Sequence, residues 1–133
     1  MKGHGSYELK VINRVLIAKI IGAWNKEEGE KYFSELKRIT RDLIQSPWAM
    51  VVYIDEWQLG TPGSDEVTLE LIQWLASHKL QLVAEIYSPN VLKKMHIQRM
   101  VNSSKSDINR QYFSDDKDAF SWLETQGFSL NSD

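Results

Sequence analysis

Apolar positions along this chain change their period repeatedly, and each change marks an element. Residues 7–12 and 15–21 are β-rich runs separated by Asn13-Arg14, a two-residue gap in which asparagine takes the positive φ of a tight hairpin, so the runs should pair antiparallel. Asn25-Lys26-Glu27-Glu28 then offers an N-cap with a glutamate three residues on, the spacing of a capping box. In the helix that follows, Gly29, Tyr32, Phe33, Leu36, Ile39, Leu43 and Ile44 recur at steps of three and four. Lys31, Glu35, Lys37, Arg38 and Arg41 face outward, and Ser46-Pro47 ends the helix.

Residues 48–54 are almost uniformly apolar, as suits an inner strand covered on both faces. A polar loop leads to Thr61-Pro62-Gly63-Ser64, where a second helix starts, capped either by Thr61 with Pro62 in the first turn or by Ser64; Val67, Leu71, Trp74 and Leu75 form its inward stripe. Residues 80–87 read as another inner strand. Ser88-Pro89 reads as a cap and first-turn proline for a third helix reaching about residue 101, with Val91, Leu92, Met95 and Met100 toward the core. A polar linker at 102–107 precedes a short strand at 108–113. Ser114 then caps a last helix with Asp115 and Asp116 in its first turn and Ala119, Phe120, Trp122 and Leu123 as docking residues, stopped by Gly127.

The order β-β-α-β-α-β-α-β-α predicts an α/β fold: a mixed sheet, mostly parallel in its centre, with an N-terminal hairpin. At 133 residues, 42% of them hydrophobic, the chain closes one core and is too short for two ordinary domains, so one domain is expected over 1–133, with 1–6 and 129–133 as loose ends. The absence of cysteine removes disulfides, thiolate nucleophiles and zinc–thiolate sites, and fits a reducing, cytoplasmic setting. No stretch has the apolar length of a membrane span, and the first six residues lack the apolar core of a signal peptide.

A net charge of -2 and a pI near 5.9 argue against a nucleic-acid partner. The charge is unevenly spread. Residues 42–78 hold six acids (Asp42, Asp55, Glu56, Asp65, Glu66, Glu70) and no lysine or arginine, whereas residues 79–110 hold six bases (Lys79, Lys93, Lys94, Arg99, Lys105, Arg110) against Glu85 and Asp107. A dipolar surface is one consequence; ordinary solvated helix faces are the simpler one.

In open α/β sheets the working edge lies where strands end and helices begin, which points to the loop at 56–65. Asp55, Glu56, Asp65 and Glu66 gather near it without calcium-loop spacing, and a solvated acidic rim explains them more simply than a metal site. Trp57 is either an exposed interface anchor or a lid over the end of the core. His4, His78 and His96 make poor catalytic bases, and no nucleophile elbow, phosphate loop or dinucleotide turn is present, so neither catalysis nor a metal or cofactor is expected.

The element order resembles the SpoIIAA-like superfamily, which includes the STAS domains of sulfate transporters and the anti-sigma factor antagonists and shares its fold with lipid-binding CRAL-TRIO domains. The likeness rests on Val51-Val52-Tyr53-Ile54-Asp55, on Thr61-Pro62-Gly63-Ser64 at the following helix start, and on Ala119-Phe120-Ser121-Trp122-Leu123 ahead of Gly127-Phe128. It implies a non-enzymatic regulatory or protein-interaction module that meets a protein partner through Asp55, Trp57, Leu59, Thr61, Ser64 and Asp65. Thr61 and Ser64 are its candidate phosphorylation sites, although the antagonists' Asp-Ser-Ser/Thr-Gly order is not kept here. The CRAL-TRIO likeness implies an alternative, a carrier or sensor of a small apolar or amphipathic, lipid-like ligand. A homodimer through the hairpin edge or an aromatic loop is compatible with either.

Overall fold

The structure, a computed structural model, describes residues 5–58, 62–104 and 108–131. Its elements are β1 (Ser6–Ile12), β2 (Val15–Ala23), α1 (Lys26–Ile39), β3 (Trp48–Tyr53), β4 (Trp57–Gln58), α2 (Pro62–Ser77), β5 (Leu80–Ile86), α3 (Val91–Ser104), β6 (Asn109–Phe113) and α4 (Asp116–Thr125). The sheet runs β1-β2-β3-β5-β6, with β4 attached to the far end of β2. Among the described residues only the hairpin is antiparallel; β2, β3, β5 and β6 run parallel, as the apolar runs at β3 and β5 predict.

Local chemistry explains most of these elements. Asn13 turns the hairpin with φ 54, the left-handed conformation asparagine tolerates. The Asn25 carboxamide accepts from the Glu28 N–H at 3.0 Å, and Glu28 accepts from the Asn25 N–H at 3.1 Å, completing the capping box. Gly127, at φ 93, follows α4 in a conformation that costs other residues more.

The sheet separates two apolar layers. On one side α1, α2 and α3 cover Leu16, Ala18, Met50, Ile54 and Val83; on the other α4 seats Ala119 and Leu123, and the segment after it Phe128, against Val15, Ala49, Val51, Leu82 and Ala84. Alternation along each strand sends neighbouring residues to opposite layers, which is why β3 is apolar throughout and β5 is apolar apart from the exposed Gln81 and the paired Glu85. Between α1 and α2, Gly29 allows close approach: a Cβ there would lie 3.3 Å from the Val67 Cβ.

Several boundaries differ from the sequence reading. Helix α1 stops at Ile39 rather than near Ser46, with Thr40 as its C-cap, whose N–H and hydroxyl both donate to the Leu36 carbonyl; Leu43 is still buried, from the turn that follows. Ser88 does not cap α3. Asn90 does, accepting from the Lys93 N–H at 3.0 Å, and the helix runs to Ser104 with Lys93, Ile97 and Met100 inward. Leu92 and Met95, expected in the core, are 74% and 55% exposed. Asp115 rather than Ser114 caps α4, accepting from the Asp118 N–H at 2.9 Å.

The described residues nearest the two ends are bonded into the fold. Ser6 opens β1, the Gly5 N–H donates to Glu28 at 2.6 Å, Leu130 packs on the α4 layer, and Asn13 donates to the carbonyls of Ser129 and Asn131.

Candidate functional site

Strands β3 and β5 end side by side, and the chain segments leaving them are bonded to each other. Ile54 donates its N–H to the Ile86 carbonyl at 3.0 Å. The Asp55 carboxylate then accepts from the Ser88 N–H at 2.9 Å and from the Ser88 hydroxyl at 3.1 Å. Those bonds favour the ionised form and lower the Asp55 pKa from its ordinary value, with a smaller contribution from Lys93. Asp55 and Glu56 are both exposed, Glu56 pairing with Lys19 at 3.3 Å.

Beneath this edge lies Lys93. It is only 8% exposed, and its ammonium donates to the carbonyls of Ile54 at 2.7 Å and Asp55 at 3.1 Å. Where β3 leaves the sheet its carbonyls lose their ladder partners, and a lysine arriving from α3 supplies donors in their place. Burial lowers the Lys93 pKa, Asp55 opposing the shift.

The chain then turns back through β4, with the Trp57 N–H bonded to the Ile54 carbonyl at 3.2 Å and the Gly22 N–H to the Glu56 carbonyl at 2.9 Å. Trp57 is buried, at 7% exposure, and its ring lies 6.2 Å from that of His96. Of the two sequence readings of this residue, the structure matches the lid. His96 in turn faces Asp65 across the α2–α3 seam, Nε2 to Oδ1 3.4 Å.

The six residues singled out from the sequence therefore separate. Asp55 is at the exposed rim, Trp57 and Ser64 (3% exposed) line the interior, and Asp65 is half-buried against His96. Leu59 and Thr61 lie outside the described residues. Helix α2 is already under way at Ser64, so that hydroxyl is a wall residue rather than the cap. Three of the four carboxylates go to separate partners, Asp55 to Ser88, Glu56 to Lys19 and Asp65 to His96, and among the described residues no cluster of three or more metal-ligating side chains is gathered. Helices α2 and α3 pack side by side, with Asp65 of the acidic stretch facing His96 of the basic one.

Under the edge is a cavity of about 120 Å³. Its floor is the sheet (Met50, Val52, Ile54, Val83) and its roof is α2 (Val67, Leu71, Ile72, Leu75), with Trp57 at one end. One ion pair is built into its wall, Glu85 of β5 with Arg110 of β6. Burial raises the Glu85 pKa, although Arg110 pulls it down.

The architecture has solved counterparts. An uncharacterised protein of the DUF3478 family with a SpoIIAA-like fold, from Shewanella loihica PV-4, superposes with a TM-score of 0.72 at 18% identity, covering 92% of this chain and 96% of that one. This chain has a SpoIIAA-like fold. An anti-sigma factor antagonist from Mycobacterium paratuberculosis also shares it, with a TM-score of 0.58 at 13% identity over 90% of this chain and 94% of that one. No family model matches the sequence, and no curated protein matches it. Among the described residues no helix is long and apolar enough to cross a membrane.

Sequence reasoning missed Ser88, Lys93, Glu85 and Arg110 as parts of this SpoIIAA-like edge. Ser88 resembled a helix cap, and Lys93 a solvated base of a basic helix. One signal was available for Lys93: it stands four residues before Ile97 and seven before Met100, the spacing of one helix face.

Proposed function

We propose that this SpoIIAA-like domain is a non-enzymatic regulatory module that docks a protein partner bearing basic side chains on the edge formed by residues 55–58 and the start of α2. The observation that carries this reading is the construction of the edge. Asp55 is held at the rim by two bonds from Ser88 while Lys93 fixes the backbone beneath it, so an exposed carboxylate is presented in one orientation at the strand ends where this architecture usually works. Glu56 next to it in the chain, and Glu66 and Glu70 on α2, are exposed, and α2 contains no basic residue. Such a rim steers a cationic partner and sets specificity. The anti-sigma factor antagonist of the same fold, by its name, acts on a protein, which supports the class of function and no particular partner.

A test uses Glu56→Lys and Glu66→Lys together. Both side chains are exposed, and the Glu56–Lys19 pair is a surface one worth little to stability, so folding should be unchanged. Affinity for the partner recovered from the host should fall at least tenfold; unchanged affinity would contradict docking at this edge.

The cavity favours a second reading, a sensor or carrier of a small apolar ligand. Ile54, Trp57 and Ser64 line it directly under the rim, so occupancy would be felt at the proposed docking edge. At about 120 Å³ it is well below the roughly 300–1,000 Å³ of ordinary ligand pockets, which favours a ring-sized molecule over an acyl lipid.

A further inference from the structure

We infer that the cavity under α2 takes a small, uncharged, mainly apolar molecule of about single-ring size bearing one hydroxyl or carbonyl group, and that this group is held by the Glu85–Arg110 pair. The inference rests on the sensor reading above and names the ligand class.

Size comes first. An apolar cavity of about 150 Å³ in another protein stays dry and accepts benzene, and the present cavity, at about 120 Å³, is of that order. Its lining is dominated by aliphatic side chains from the sheet and from α2 (Met50, Val52, Val83, Leu71, Ile72, Leu75), which contribute no hydrogen bonds and reward only an apolar body. Among the other polar lining groups, the Thr68 hydroxyl already donates to the Ser64 carbonyl at 3.0 Å.

The ion pair provides the recognition. Glu85 and Arg110 lie on adjacent strands, and their side chains retain 12% and 17% of their surface accessible, so the pair is not sealed. Stability alone does not account for it, because well-packed apolar residues commonly serve at least as well as a buried ion pair. Glu85 offers lone pairs, and a guanidinium carries five N–H donors, more than one carboxylate can occupy. A hydroxyl can donate to Glu85 or accept from Arg110, and a carbonyl can accept from Arg110, in each case with the pair intact.

Charge decides against the other ligand classes. A carboxylate would enter beside Glu85, whose own charged form is already disfavoured by burial, and would compete with it for Arg110. An ammonium would compete with Arg110 for Glu85 and leave an uncompensated buried charge. A neutral head group avoids both costs. The register places this head group toward the β6 edge and the apolar body beneath α2.

The test compares four probes built on one ring: toluene, p-cresol, p-toluate and 4-methylbenzylamine, each titrated into the ¹⁵N-labelled full chain. The expected result is that p-cresol binds about tenfold tighter than toluene, the worth of one good hydrogen bond. It should shift the amides of Leu71, Val83, Glu85 and Arg110 and show nuclear Overhauser contacts to the Arg110 side chain, and the two charged probes should bind more weakly than either. In the double variant Glu85→Leu/Arg110→Met, toluene should still bind and the advantage of p-cresol should vanish. Equal binding of toluene and p-cresol to the natural protein, or tightest binding of a charged probe, would overturn the inference and leave the apolar-ligand reading standing. Binding of no probe would overturn both, and the mapping on the natural chain decides the question even if the double variant does not fold.

Discussion

Replacing Lys93 with methionine isolates the device that holds the strand end. Methionine keeps much of the length and the apolar stem but cannot donate, so the Ile54 and Asp55 carbonyls lose bonds of 2.7 and 3.1 Å. A hydrogen bond from a charged donor contributes about 1.5–3 kcal/mol net, and the variant also escapes the cost of burying an ammonium. The two effects together leave a loss of about 2 kcal/mol, or roughly 8 °C in Tm for a domain of this size. The pH dependence supplies a second, independent readout. Because burial lowers the Lys93 pKa, the folded state releases this proton more readily than the unfolded chain. Its contribution to stability is therefore smallest below the folded pKa and grows as pH rises toward the unfolded value near 10.4. Urea unfolding at a series of pH values from 7 to 10 should give a gap between natural protein and variant that widens with pH. A variant within about 0.5 kcal/mol of the natural protein, with a gap that does not change, would refute the claim that this lysine secures the edge.

Other consequences follow from the same contacts. Asp55→Asn weakens the tie to Ser88 and should speed hydrogen exchange at residues 55–58 and at Ser88 with little change in global stability; since the Asp55 pKa is lowered, the stability it contributes is present above its unfolded pKa and lost as pH falls through the folded one, so the difference between the two proteins should shrink in acid. Leu123→Ala empties a fully buried position in the layer beneath α4 and should cost about 3 kcal/mol by chemical denaturation. Arg110→Met leaves Glu85 without its partner and should cost about 3 kcal/mol, most of which the added Glu85→Leu change should restore in a double-mutant cycle; full additivity would contradict the pairing. Trp57→Ala should lower stability by about 3–5 kcal/mol because the ring is a lid, so Trp57→Phe is the better variant for separating partner binding from folding.

Which features were legible in the sequence follows from the range of the forces involved. Asn13 and Asn25 act within a few residues, so the hairpin and the capping box could be read directly. The apolar run at β3 carried its own burial signal. The errors arose where two local solutions compete and a distant residue chooses between them. Ser88 has the chemistry of a cap, but Asp55, 33 residues away, takes its hydroxyl and N–H, and Asn90 caps α3 instead. The inward face of α3 contains a lysine, and apolar periodicity cannot credit a lysine whose partners are carbonyls of another strand. Leu92 and Met95 were consequently assigned to the wrong face. The two-residue strand β4 is too short for any periodicity, and the cavity exists only where three helices and the sheet meet. Glu85 and Arg110 become a pair only through the β5–β6 register.

The proposed docking of a protein at residues 55–58 and the start of α2 is open to one decisive experiment: isolating the chain from its own host under native conditions, identifying any bound protein by native mass spectrometry, and comparing hydrogen exchange of the free and bound chain. Docking at this edge predicts a defined complex with a basic protein in which residues 55–58 and the first turns of α2 become protected and the outer face of α4 does not. A complex whose protection falls elsewhere, or a chain recovered without any protein partner, would contradict it.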